Sequence, residues 1–467
     1  MPPTTRRRPR SRQPELFPRS KQPVIEIAEN HRLVQITEEI DWTELEERVQ
    51  AIRLSKLKSA AGRPTHLRAL IGALVFRALR YRTIRDLEDL IRYYAPARFL
   101  CGLTESKWSP DANTIQDFEQ LIGEEGVRLI NERVVKWAVE ENLADPRLAV
   151  ADTTAQEATI PYPNEMNLMA TFVSAVAAAS KNVGTALKGF VKRAGSLFQT
   201  AKKKLREFRL FAKAKTKAAR MKLTSEMADI VEKVQEVLAP VLDQASHQKL
   251  RITKYRKVAW EKVKQLQGTM GKLLPQIRYW IKTGWVASNK IVSLHIPKLY
   301  SIVRGKTGKK VEFGLNWGIA RLRGGFLLAT LGKDKTELVD SEFVVRAVED
   351  HIELFGKAPI AYAYDRGGWS EANAAEVKRL GVVAVGLAPR GQAKWLVAGK
   401  TKDKLVSERA QVEGGIGSIK SQKYGFNRPA AKSADTMGVS GQRAVLGFNL
   451  NKLMNGLAAR RKLALVG

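Results

Sequence analysis

The strand-like run R-L-A-V-A-D-T-T, Arg147 to Thr154, is separated from the later strand-like runs by a helical stretch from about Met166 to Gly284. Any sheet that uses this first run must close across that stretch, which therefore has to stand out as an insertion (residues 166–290). Within it, Ile230, Val234, Val237 and Val241 form one apolar stripe. Val263, Leu266, Met270, Leu273, Ile277 and Trp280 form a second, at steps of three and four. Two such stripes are expected to pair as an antiparallel helical hairpin. Its exterior carries Lys202, Lys203, Lys204, Arg206, Lys213, Lys215, Lys217 and Arg220. So many cations with few balancing acids suit either a solvated face or a surface for phosphates.

After the insertion, Tyr300 to Val303, Val311 to Ile319 and Gly325 to Leu331 read as an antiparallel meander, with turns at Gly305–Lys309 and Arg321–Gly324. A helix around Phe343, Val344, Ala347 and Val348 follows, then apolar strands at Pro359–Asp365 and Val382–Leu387. Helical pattern resumes at Val406–Gln422, despite Gly414, Gly415 and Gly417, and again from Arg443 to Leu453. The expected fold class is α/β, with a mixed sheet built from residues 147–165 and 291–467. Ahead of it, residues 41–146 read as an all-helical domain. Leu67, Leu70, Ile71, Leu74 and Val75 share one face, as do Ile84, Leu87, Leu90 and Ile91, and Asp111 caps a further helix. Such a domain could bind DNA or serve as a dimerising bundle. Residues 1–40, with Arg6 to Arg8, Arg10 and Arg12 among prolines, read as a basic disordered arm.

The charge narrows the partners. The chain has 80 Lys and Arg against 47 Asp and Glu, a net +33. Such an imbalance points to a polyanion, and DNA fits because Lys and Arg release its condensed counterions. No run approaches the roughly 18 apolar residues of a membrane span. The N-terminus lacks the apolar core of a secretory signal. The single cysteine, Cys101, excludes a disulfide within the chain and a cysteine-rich zinc site, and a reducing, cytoplasmic, nucleoid-associated setting is expected.

Two separate apolar strands carry an aspartate at or near their ends: Asp152 in A-V-A-D-T-T and Asp365 in A-Y-A-Y-D-R-G-G-W-S. On adjacent strands these carboxylates would converge, and their repulsion calls for a cation between them. Magnesium or manganese suits hard oxygen ligands, whereas the five histidines, at 31, 66, 247, 295 and 351, lack ligand spacing. A third acid, Glu413, lies in R-A-Q-V-E-G-G-I-G-S-I-K, with Arg409 four positions before it and Lys420 seven after. All three share one helical face, so Arg409 and Glu413 could be a surface ion pair or part of a site. Gly367 and Gly368 would admit DNA closely or simply make a turn.

These residues resemble those of bacterial insertion-sequence transposases of the DDE type. T-I-R-D-L-E-D-L-I through P-D-A-N-T-I-Q-D-F is similar to their helical N-terminal domain. A-D-T-T-A-Q-E resembles their first-aspartate motif, G-K-T-G-K-K-V-E-F-G the strand after it, Y-D-R-G-G-W-S the second-aspartate motif, and E-G-G-I-G-S-I-K with Y-G-F-N-R the glutamate helix. The resemblance implies an RNase H-like catalytic domain in which Asp152, Asp365 and Glu413 hold two Mg2+ or Mn2+ ions. Arg409, Lys420, Arg366 and Trp369 are the DNA contacts expected around them, with Lys202, Lys203 and Lys204 on the insertion. It further implies binding of terminal inverted repeats, strand cleavage, transfer of a 3′-hydroxyl to target DNA, and a homodimer on DNA. Arg409, Glu413 and Lys420 match the Arg-x3-Glu-x6-Lys part of a signature in one branch of that family, whose leading Tyr is Val406 here. A related nuclease without strand transfer, or a non-catalytic DNA-binding descendant, are the competing expectations.

Overall fold

The computed structural model describes residues 27–57, 65–80, 83–183, 187–210, 216–247, 253–303, 311–332, 339–388 and 395–466. The arginines at 6–8, 10 and 12, Lys213, Lys215 and the turn at 305–309 lie outside the described residues.

A mixed six-stranded sheet organises the second half of the chain. Its strands are β1 (Asp145–Glu157), β2 (Tyr300–Val303), β3 (Val311–Arg323), β4 (Leu327–Leu331), β5 (Ala361–Tyr364) and β6 (Ala384–Gly386). The order is β2-β3-β1-β5-β6, with β4 also paired to β3. β1 lies antiparallel to β3 but parallel to β5, and β5 is parallel to β6. Gly314 pairs with Glu157 of β1 and with Tyr300 of β2, so β1 and β2 occupy opposite edges of β3. The expected meander is present, except that β2 and β4 follow one another along the same edge of β3.

Side chains alternate across this sheet, as the pleat requires. Leu148 and Val150 of β1 and Ala363 of β5 join a core with Leu405, Val412, Ile416 and Ile419 of α13 (Gly399–Lys420). The intervening Ala149, Ala151, Tyr362 and Tyr364 join the core that contains Phe343, Val344, Ala347 and Val348 of α11 (Asp340–Phe355). One helix therefore covers each face. α12 (Glu371–Arg379) links β5 to β6 and packs on α11. The glycines of α13 leave it helical because its four buried side chains are held by the sheet. Arg321 of β3, itself buried, fixes the rotation of α13 by pairing with Glu408 and bonding Gln411.

The N-terminal helices are α1 (Arg32–Glu39), α2 (Trp42–Lys56), α3 (Leu67–Arg80), α4 (Ile84–Tyr93), α5 (Ala95–Leu100) and α6 (Ala112–Glu140). Two expectations need correction. The arm does not extend to residue 40, because α1 buries Leu33, Val34 and Ile36. Nor do these helices own a separate core. One cluster runs from Leu33 through α3 and α6 to the α11 face of the sheet and to α14 (Ala434–Val466).

The insertion is also larger than a hairpin. α7 (Glu165–Val183), α8 (Lys188–Leu210), α9 (Lys217–His247) and α10 (Lys254–Thr283) enclose a core of their own. The two expected stripes do pair, and Gln235 and Gln267 exchange side-chain-to-backbone bonds between α9 and α10. Phe172, Phe190 and Met227 complete the core from α7, α8 and α9. At the neck, Lys290 reaches back to the Glu165 carboxylate and donates to the Pro163 carbonyl at 3.2 Å.

The end of β1 is locked by a buried polar knot. Gln156 donates to the carbonyls of Phe426 (3.0 Å) and Met437 (2.9 Å), and accepts from Trp317 Nε1 (3.0 Å). Gln156→Leu strands three buried polar groups, each costing about 1–3 kcal/mol. A loss of about 3–5 kcal/mol in urea unfolding is expected.

Candidate functional site

The parallel register between β1 and β5 sets the geometry. Ala151 is paired with Tyr364, so Asp152 and Asp365 are the next residues on neighbouring strands about 4.8 Å apart. β5 ends at Tyr364, while β1 runs on to Glu157 against β3 alone. A cleft of about 1060 Å3 opens there. By alternation, Asp152 shares the face of Leu148 and Val150, the face that α13 covers. Glu413, an exposed residue of α13, lines the same cleft, as does Lys420 at the helix end.

Among the described residues, the cleft walls carry five carboxylates (Asp152, Glu312, Asp340, Asp365 and Glu413) and one cation, Lys420. In a chain of net +33 this is a local reversal of sign. Backbone amides partly satisfy the two aspartates. Thr153 N donates to Asp152 Oδ1 at 2.8 Å, and Arg366 N donates to Asp365 Oδ1 at 2.6 Å. The Arg409 guanidinium lies 3.5 Å from Asp365. Arg409 therefore faces an aspartate of the other strand, whereas the surface pair with Glu413 was the alternative on sequence alone. The field of the cleft reaches the core. Burial and the charge of Asp152 push the Tyr362 phenol well above its ordinary pKa. Burial, then Asp340, does the same to Tyr364.

The remaining expected contacts divide. Arg366 is exposed in the short 3-10 turn Arg366–Gly368, whereas Trp369 is half-buried and packs against the main core. Lys202 and Lys203 are exposed on α8. Lys204 is held by Glu226 at 2.5 Å and Glu207 at 3.7 Å, which matches its charge. None of the three lines the cleft. Asp340, Glu312, Thr153 and Asn316 line it without having been singled out from the sequence. Asp340 opens a helix, where an acid is ordinary dipole chemistry, so it gave no separate signal.

Among the described residues no three His, Cys, Asp or Glu side chains are grouped closely enough to hold a metal ion as they stand. The donor chemistry nonetheless suits a hard divalent cation, because among the described residues carboxylates and hydroxyls line the cleft and neither histidine nor cysteine does. No helix among the described residues is long and apolar enough to cross a membrane.

The arrangement defines an α/β protein with an acidic cleft where its central parallel strand pair ends. Residues 24–121, about a fifth of the chain, match the family model described as a transposase domain (DUF772). The cleft residues all lie outside that match. No curated protein and no solved structure matches the chain.

Arg409 and a bound cation would compete for Asp365. Arg409→Gln is expected to tighten Mn2+ binding about two- to five-fold in calorimetry without DNA, the scale of a partly exposed ion pair. Weaker Mn2+ binding in this variant would mean that Arg409 supports the cation site.

Proposed function

We propose that this protein is a DNA transposase of the DDE type, with Asp152, Asp365 and Glu413 as the carboxylates that hold two Mg2+ or Mn2+ ions. The observation that carries this reading is the register of β1 and β5, which sets two aspartates side by side in an acidic cleft of a strongly basic chain. The sheet supports an RNase H-like domain: three antiparallel strands (β1, β3, β4) followed by β5 and β6, parallel to β1 and beyond it. The transposase domain at residues 24–121 supports DNA as the substrate.

When bound, a divalent pair supplies Lewis-acid activation of the attacking oxygen and stabilises charge on the leaving one. The chain's own residues do the rest. Asp152 is positioned by backbone pairing with β3, and Asp365 directly follows the last paired residue of β5. Glu413 closes on them from α13, since the three carboxylates are not gathered as they stand. Arg409 then exchanges Asp365 for a DNA phosphate, and Lys420 takes a second phosphate at the end of the same helix. Gly417 keeps its part of the cleft wall free of side chain. Exposed Lys202 and Lys203 extend the phosphate-binding surface onto the insertion. Two such chains would pair on the two ends of a mobile element. Water as nucleophile gives strand cleavage, and the new 3′-hydroxyl gives strand transfer by the same in-line displacement.

Alanine at Asp152, Asp365 or Glu413 is expected to abolish cleavage of terminal-repeat DNA by at least about 1000-fold, a loss of roughly 4 kcal/mol of transition-state stabilisation, with binding retained. Cleavage surviving in any of the three sinks the triad. A pre-cleaved end tests joining separately and distinguishes a transposase from a nuclease. In salt titrations, Lys202→Ala and Lys203→Ala should each lower the slope of log affinity by about one. Lys204→Ala should leave it unchanged, because Glu226 and Glu207 already neutralise that charge; equal slopes for all three variants would remove α8 from the DNA surface.

A further inference from the structure

The two aspartates are joined through a third carboxylate of the same cleft, which reaches their strands from the α11 side. Asp340, the first residue of α11, presents one carboxylate oxygen, Oδ1, to two donors at once. Thr153 Oγ1 donates to it at 2.5 Å, and the Tyr364 hydroxyl donates to it at 3.2 Å. Thr153 follows Asp152 on β1, and Tyr364 precedes Asp365 at the end of β5. Neighbours in a strand point to opposite faces, so a group that grips Thr153 and Tyr364 from the α11 side fixes the backbone from which Asp152 and Asp365 project to the α13 side.

Two further contacts make the grip specific. A Cβ added at Gly367 would lie 2.6 Å from Asp340 Oδ2, so the second carboxylate oxygen rests against the turn that follows Asp365. Thr153 also donates its backbone N–H to Asp152. The clamp sits where it is most needed, because the ladder between β1 and β5 covers only Leu148 to Ala151 and ends at Tyr364. Beyond that point no strand pairing holds Asp365 beside Asp152.

We propose that Asp340 is a positioning residue: its carboxylate, as a shared hydrogen-bond acceptor, sets the separation of the two aspartates and hence the affinity of the cleft for a divalent cation. This inference rests on the cation-binding reading of the cleft. It assigns Asp340 an accepting role rather than a ligand's charge, and asparagine can supply that role through its own Oδ1.

The test is Mn2+ affinity of the full chain without DNA, read by electron paramagnetic resonance. Asp340→Ala should weaken it by about 10- to 100-fold, the range for groups that orient metal ligands. Asp340→Asn should restore it to within a few-fold of wild type. Thr153→Val and Tyr364→Phe each remove one donor at nearly constant volume, so they carry the test should Asp340→Ala fail to fold; each should weaken Mn2+ binding several-fold. Wild-type affinity in Asp340→Ala, or in both donor variants, overturns the proposal. Asparagine as damaging as alanine overturns it in favour of direct ligation by charge. Asp152→Asn is the separate control: undiminished Mn2+ binding there refutes the cation site itself, and the clamp with it.

Discussion

Four backbone pairings between β1 and β5, from Leu148 with Ala361 to Ala151 with Tyr364, hold the candidate site together. They place two like charges on adjacent strands, an arrangement that is unfavourable unless cations or hydrogen-bond donors answer it. The surrounding structure does answer it. Backbone amides of Thr153 and Arg366 donate to the aspartates, Arg409 approaches Asp365, and both faces of the strand pair are sealed by helices. Parallel strands need such two-sided cover, which is why β1 and β5 read as short apolar runs rather than as alternating ones.

The strands were legible for that reason, whereas an acid at the end of an apolar run is as often a turn or cap residue, and Asp365 does cap the turn that follows it. The meander was legible as well, and Tyr300–Val303 is a strand at the bounds its sequence suggests. Asp340 was hidden by an ordinary explanation, since acids are common in the first turn of a helix. The four-helix character of the insertion was obscured because α7 and α8 are apolar on broad faces rich in alanine and phenylalanine, without the narrow stripe that marks α9 and α10. The fusion of the N-terminal helices with the sheet depends on α14, whose small residues let it approach closely. Gly441 faces the Trp317 ring and Gly447 the Ala78 carbonyl. Local pattern carries no record of contacts between positions so far apart in the chain.

Glu413 stood on the least secure local pattern, a helix whose last two turns contain Gly414, Gly415 and Gly417. Its helix survives because tertiary contacts outweigh a propensity deficit of about 1 kcal/mol per glycine. Arg321 adds a rotational constraint by binding Glu408 and Gln411, while Glu413 lines the cleft and Arg409 reaches Asp365. Charge in this molecule is therefore sorted by place. Acid concentrates where the central strands end, while some of the abundant lysine is spent internally, as in the pairing of Lys204 with Glu226.

The Lys290 contact with Glu165 and the Pro163 carbonyl gives the insertion a closed base. A segment whose ends are pinned together adds little loop-closure entropy to the sheet beyond that of a short connection, because the cost of closure grows only slowly with length. Having its own core as well, the bundle can lengthen, shorten or change its surface across related chains without disturbing the strand register that sets the aspartates. The neck thus makes the bundle an exchangeable part: what it touches can diverge while the strand register stays the same.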